Sequence, residues 1–203
     1  MRDFSDFSFH IKPLGDDFMT KTKKLTLSAI MVALSTVLVI LSKLIPAPWM
    51  QGGSITLASM VPIIAASIVI DLKWGLLTGI VFSIIQMMTG FYPPPTQNFI
   101  SFFLVVMLDY VVAFGVLGLA DLFYQMMNKK IWAIPVSGII VTTLRYVCHI
   151  LSGILIWGVY AEEGQTVLAY SVTYNGSYMI PEIIITGVVL SILSKIIIKY
   201  AKK

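Results

Sequence analysis

Six apolar runs, each near the length that crosses a bilayer, dominate this 203-residue chain: about 25–45, 55–70, 74–89, 99–124, 131–160 and 178–198. A helix needs roughly 20 mostly apolar residues to traverse a hydrocarbon core of about 30 Å. Backbone groups find no water there, so helices with internal hydrogen bonds are the economical way across. The 12% of charged residues is about half the share of an ordinary soluble domain. The expected fold is therefore an all-α integral membrane protein of six transmembrane helices.

The basic residues sort by side. Lys21, Lys23 and Lys24 precede the first run, Lys73 joins the second to the third, and Lys129 and Lys130 join the fourth to the fifth. Lys195, Lys199, Lys202 and Lys203 end the sixth. The opposite connections, PAPWMQGG, FYPPPTQ and AEEGQTVLAYSVTYNG, contain neither lysine nor arginine. Under the positive-inside rule both termini are expected in the cytoplasm. The net charge of +4 thus reads as topology and not as a nucleic-acid footprint. Residues 1–20 are polar and aperiodic and lack a signal-peptide core, so a disordered extension is expected ahead of a membrane domain over 21–203.

No phosphate-binding GxxxxGK[ST] or GxGxxG stretch, no HExxH and no CxxC pair occurs, so nucleotide hydrolysis and a zinc site have no support. Function must reside in the polar groups stranded in apolar runs. Charge within lipid is expensive and tends to face a bundle interior or a cavity. Asp109, Arg145, His149 and Glu182 are such groups. Arg145, His149, Gly153 and Trp157 recur at steps of four, along one helical stripe. On that stripe Gly153 is expected to leave room for a flat ring. Asp109 and Arg145 as a structural ion pair, and His149 as a helix–helix hydrogen-bonding group, are the structural alternatives.

Aromatic residues gather on the outer side: Trp49, Tyr92, Tyr110 beside Asp109, Trp157, and Tyr160, Tyr170, Tyr174 and Tyr178. Tyr160 and Tyr178 also fit an interfacial belt. Ring faces attract cations, and a buried cation needs a compensating carboxylate such as Asp109. Asn175 has a donor and an acceptor with which to read the edge of a heterocycle. Together these predict a pocket in the outer half of the last three spans, binding an aromatic or cationic ligand.

The stretches MQGGSITLASMVPI, KWGLLTGIVFSIIQMMTG, LDYVVAFGVLGLA, HILSGILIWGVYAEEGQ and YSVTYNGSYMIPE follow one another in order. The chain from about Lys21 onward resembles the thiamine-specific substrate-binding components of energy-coupling factor transporters. The resemblance implies a six-helix subunit of the prokaryotic plasma membrane that captures thiamine from outside. Its implied partners are a transmembrane coupling protein and two cytoplasmic ATPases, which use ATP, with no cofactor in the chain itself. It further implies ligand contacts from Trp49, Tyr92, Asp109, Tyr110, Arg145, His149, Gly153, Trp157, Tyr170 and Asn175. Asp109 stands where the family often has glutamate, and Arg145 where lysine occurs. Ala29 and Ala33, four residues apart, match the family's docking stripe for the coupling protein.

Three other readings make distinct predictions. One is a binding component for another vitamin or a thiamine precursor. Another is a stand-alone proton-coupled carrier using Asp109 or Glu182, against which the lack of internal repeats counts. The third is an intramembrane hydrolase pairing Ser54 or Ser152 with His149, although neither serine lies in a GxSxG context.

Overall fold

The computed structural model describes residues 19–44 and 53–201. Six helices follow one another, with no strand among the described residues: α1 (Lys21–Ser42), α2 (Val61–Val69), α3 (Leu72–Gly90), α4 (Phe99–Met126), α5 (Ala133–Leu155) and α6 (Val167–Ala201). All but α2 are long and apolar enough to cross a membrane. Large apolar side chains such as Leu34, Ile84, Phe103 and Ile192 cover the outside, as expected where lipid is the solvent.

Two spans differ from their sequence reading. Only nine residues of the second apolar run, Val61–Val69, are helical, giving a rod of about 14 Å at about 1.5 Å per residue. Ahead of it, Ala58 adopts a left-handed φ of 59°, the Thr56 and Ser59 hydroxyls lie 2.8 Å apart, and Pro62 sits in the first turn of α2. Proline is tolerated there because the N–H it lacks would be unpaired anyway. The non-helical stretch persists at membrane depth because it is covered by protein or lines a cavity. α2 itself is buried all round from Val61 to Ile68, which is where a helix apolar on every face belongs.

The sixth span begins at Val167, eleven residues before its expected start. Gly164 turns the chain at a φ of +83°. The Thr166 hydroxyl then accepts from the Ala169 N–H at 3.2 Å, which starts the helix. At 35 residues α6 is about 52 Å long, so it tilts or projects beyond the core.

Close packing fixes the inner scaffold. In α3, Gly75 and Gly79 form a small-xxx-small pair facing inward: a Cβ on Gly75 would meet Ser67, and one on Gly79 the Phe114 carbonyl. Such residues let helix backbones approach closely in membranes. Ser67 clasps α4 there, donating to the Gly118 carbonyl at 2.5 Å and accepting from the Asp121 N–H at 3.0 Å. Met60, Ile63, Ile64, Phe82, Leu117, Ile134 and Leu190 are fully buried around this contact. In α1 the inward stripe is Ser28, Val32, Ser35, Val39 and Ser42. Ala29 and Ala33 lie on its exposed side.

Candidate functional site: a polar and aromatic cavity

A cavity of about 500 Å³ opens between the end of α1, the 53–59 stretch, α3, α4, α5 and α6. Its walls include Tyr92, Asp109, Tyr110, Arg145, His149, Trp157, Tyr170 and Asn175, eight of the residues singled out from the sequence. Trp49 lies outside the described residues.

Asp109 projects from a wide turn of α4, Val106–Val111, with i→i+5 bonding; such turns are frequent at functional sites. Its carboxylate is surrounded by donors. Oδ1 lies 3.0 Å from His149 Nδ1, and Oδ2 accepts from Ser152 Oγ at 2.6 Å and from Trp157 Nε1 at 3.1 Å. An ionised carboxylate only accepts, so the proton in the first pair belongs to Nδ1. In a neutral imidazole that leaves Nε2 as an acceptor. Nε2 is buried and has no partner. Asp109 is thus the hub of a network as well as a charge in the wall. The structural alternative, an ion pair of Asp109 with Arg145, does not occur among the described residues.

Arg145 is held differently. Its guanidinium lies 4.2 Å from the centroid of the Phe114 ring, and Nη1 donates to the Met60 sulfur at 2.9 Å. Glu182 is 1% exposed, and Oε1 accepts from the Thr56 N–H, pinning the non-helical stretch over the cavity. It lies mid-way along α6, not at the start of a span as expected.

The aromatic residues divide by task. Trp157 follows α5 in a short 3₁₀ turn, with its ring centroid 5.5 Å from Tyr92 and 6.3 Å from Tyr160. Tyr110 acts as a clamp: its hydroxyl donates to the Gly90 carbonyl at 3.2 Å and accepts from the Tyr92 N–H at 3.0 Å. Tyr170 stacks on Tyr174 at 5.6 Å and keeps a buried, unpartnered hydroxyl. Tyr178, one of the two expected belt residues, is buried in the cavity wall and meets the His149 ring edge-on at 6.0 Å.

Two assignments change. Gly153 does not line the cavity. The room above it is filled by Ser171 and Asn175, so the missing side chain brings α5 against α6 and does not admit a ring. Asn175 does line the cavity, but its amide is occupied by its own chain. Nδ2 donates to the Ser171 and His149 carbonyls at 2.9 and 3.2 Å, and Oδ1 accepts from the Tyr178 hydroxyl at 2.5 Å. Tyr174 and Tyr178, grouped with the outer aromatics but given no ligand contact, also line the cavity, as do Phe114 and Gln86, which were not singled out. For the tyrosines the signal was present, since Tyr170, Tyr174 and Tyr178 are spaced by four and share a helical face.

The arrangement does not assemble the hydrolase pairing of Ser152 with His149. A nucleophile needs its base within hydrogen-bond reach, and the Ser152 hydroxyl is spent on Asp109 and Trp157, not on His149.

Residues 25–202 match the family described as Thiamine transporter protein (Thia_YuaJ). The thiamine transporter ThiT of Bacillus subtilis (strain 168) is 34% identical over 177 residues, 81% of this chain and 86% of that protein. ThiT of Lacticaseibacillus paracasei is 32% identical over 95 residues, 42% of this chain and 47% of that one. A solved structure of ThiT from Listeria monocytogenes superposes with a TM-score of 0.67 at 21% identity, covering 88% of this chain and 98% of the other; at that identity it speaks for the fold. The chain belongs to the thiamine transporter protein family, whose members are multi-pass membrane transport proteins and not enzymes.

Proposed function

We propose that this chain is the thiamine-binding membrane subunit of an ATP-driven importer and that thiamine occupies the cavity around Asp109. The observation that carries the reading is the hub of Asp109, His149 and Trp157 in one aromatic-walled cavity. Thiamine carries a permanently cationic thiazolium, which suits ring faces and a nearby carboxylate. Its aminopyrimidine offers donors to the buried His149 Nε2. The volume of about 500 Å³ falls within the ~300–1,000 Å³ usual for small-ligand sites. Arg145, a cation in the wall, favours a pose with the thiazolium toward Asp109 and the hydroxyethyl group toward the guanidinium.

The coupling to ATP belongs to separate subunits: a transmembrane coupling protein and two cytoplasmic ATPases of the energy-coupling factor type. Ala29 and Ala33, on the exposed side of α1, form the docking stripe for the coupling protein. The lysines before α1, between α2 and α3 and between α4 and α5 support an orientation with both termini in the cytoplasm of a prokaryotic cell.

Calorimetric titration of the purified chain with thiamine, its fragments and unrelated vitamins tests the ligand. Tight binding of thiamine alone is expected; binding of another vitamin or of the hydroxymethylpyrimidine fragment in its place would overturn the assignment. Uptake tests the partners. Ala29→Trp with Ala33→Trp is expected to keep binding and lose uptake, whereas uptake by the chain in vesicles without any ATPase would establish an autonomous carrier.

A further inference from the structure

Trp157 reaches the cavity wall from a weakly supported backbone. α5 ends at Leu155, Ile156 leaves helical geometry with φ −127° and ψ −49°, and Trp157 sits in a single 3₁₀ turn that ends at Tyr160. One residue that does not line the cavity holds both sides of this break. Ser152 is fully buried. Its carbonyl accepts from the Ile156 N–H at 2.8 Å, and its hydroxyl bridges Asp109 Oδ2 at 2.6 Å and Trp157 Nε1 at 3.1 Å.

The direction of these bonds is forced. An indole nitrogen only donates, an ionised carboxylate only accepts, and a hydroxyl does both. Ser152 is therefore the one member of the trio able to take a hydrogen bond from Trp157 while giving one to Asp109. The indole N–H is shared between Ser152 Oγ and Asp109 Oδ2, both at 3.1 Å, so the ring is held by its edge at two points. A ring gripped in this way has its tilt fixed, and attraction for a cation depends on presenting the face and not the edge.

We propose that Ser152 is a positioning residue for ligand capture: its hydroxyl sets the orientation of the Trp157 indole and thereby the aromatic face that Trp157 and Tyr92 offer to a cationic ring. The ligand rests on the thiamine reading, but the orientation is readable without any ligand.

The test uses the full chain in detergent or nanodiscs with 5-fluorotryptophan, the Trp157 resonance being assigned by Trp157→Phe. Ser152→Ala is expected to shift the ligand-free Trp157 signal and weaken thiamine binding at least tenfold. Ser152→Thr, which keeps the hydroxyl, is expected to bind within about threefold of the parent. In a double-mutant cycle, Ser152→Ala on a Trp157→Phe background is expected to add less than a twofold loss, because the partner it positions is gone. A role in packing alone predicts the same loss on both backgrounds and no rescue by threonine. Should Ser152→Ala fail to fold, Ser152→Cys, a much weaker donor of similar size, carries the same arms. An unmoved Trp157 signal, parent-like binding by Ser152→Ala or an additive cycle refutes the proposal. A parent chain that does not bind thiamine refutes the ligand reading, while the ligand-free fluorine shift still decides the role of Ser152.

Discussion

Replacing Asp109 by asparagine keeps the shape of the side chain and removes its charge, which isolates the electrostatic part of the site. Three donors converge on the carboxylate, from His149, Ser152 and Trp157. An amide can satisfy them only in part: one of its two ends is itself a donor, facing either His149 Nδ1 or the Ser152 and Trp157 pair. A hydrogen bond to a charged group contributes about 1.5–3 kcal/mol and a neutral one about 0.5–1.5, so the network weakens in free and bound protein alike. Only the part that changes on binding appears in the affinity. For a cation about 5 Å from the carboxylate, the Coulomb attraction is about 3 kcal/mol at an effective dielectric constant of about 20. The expected loss of affinity for thiamine is therefore on the order of 100-fold, since about 1.4 kcal/mol is a factor of ten. An uncharged analogue in which a neutral ring replaces the thiazolium is expected to lose much less. Parallel calorimetric titrations of parent and Asp109→Asn with both ligands read the difference. If the variant binds thiamine within threefold of the parent, or loses both ligands equally, Asp109 does not act through charge on the ligand and the electrostatic reasoning fails.

Further outcomes follow from the contacts around the cavity. Gly153→Leu drives a side chain into Ser171 and Asn175; overpacking of this kind costs about 1–3 kcal/mol or more, so the thermal unfolding midpoint in detergent is expected to fall, and an unchanged midpoint would mean that α5 and α6 are not in close contact. Tyr110→Phe removes the two hydrogen bonds that fix residues 90–92, each contributing about 0.5–1.5 kcal/mol. Faster hydrogen exchange at the Tyr92 amide and a several-fold higher thiamine off-rate are expected, and unchanged exchange would show that the clamp does not hold. Asp71→Ala removes the N-cap of α3, which accepts from the Trp74 N–H at 2.9 Å, and the 3.1 Å pair with Lys24. The cap contributes about 0.5–2 kcal/mol and a partly exposed pair less than about 1. Asp71→Ala is accordingly expected to destabilise more than Lys24→Ala, and the reverse order in unfolding midpoints would contradict this.

The error over the start of α6 is instructive. Hydropathy loses the helix across 167–177 because Tyr170, Ser171, Thr173, Asn175 and Ser177 dilute the apolar signal. Three of them turn inward: Tyr170 and Asn175 line the cavity, and Ser171 is buried against α5, donating to the Ile150 carbonyl. Polar residues that line a cavity in a membrane bundle thus erase, in sequence, the feature by which their own helix would be recognised. The second run misleads in the reverse way: a continuous apolar stretch conceals a break at Ala58, and its neighbours Ile55, Thr56 and Ser59 line the cavity. Gly153 errs in the opposite direction. Its place on the stripe with His149 and Trp157 suggested a vacancy, and only the neighbouring helix shows that the space is taken by Ser171 and Asn175.

By itself the sequence determined that the chain is a bundle of membrane helices, because unpaired backbone groups are intolerable in lipid and the apolar runs leave no other economical way to pair them. It also determined which residue types would gather inside, because charge and amide groups in a spanning segment must find partners or a cavity. Only the tertiary structure decided who those partners are. Asp109 and His149 are 40 residues apart and Thr56 and Glu182 are 126 apart. No periodicity along one helix encodes such pairings: they follow from how closely glycines and serines let the helices approach, and from the i→i+5 turn on which Asp109 is carried.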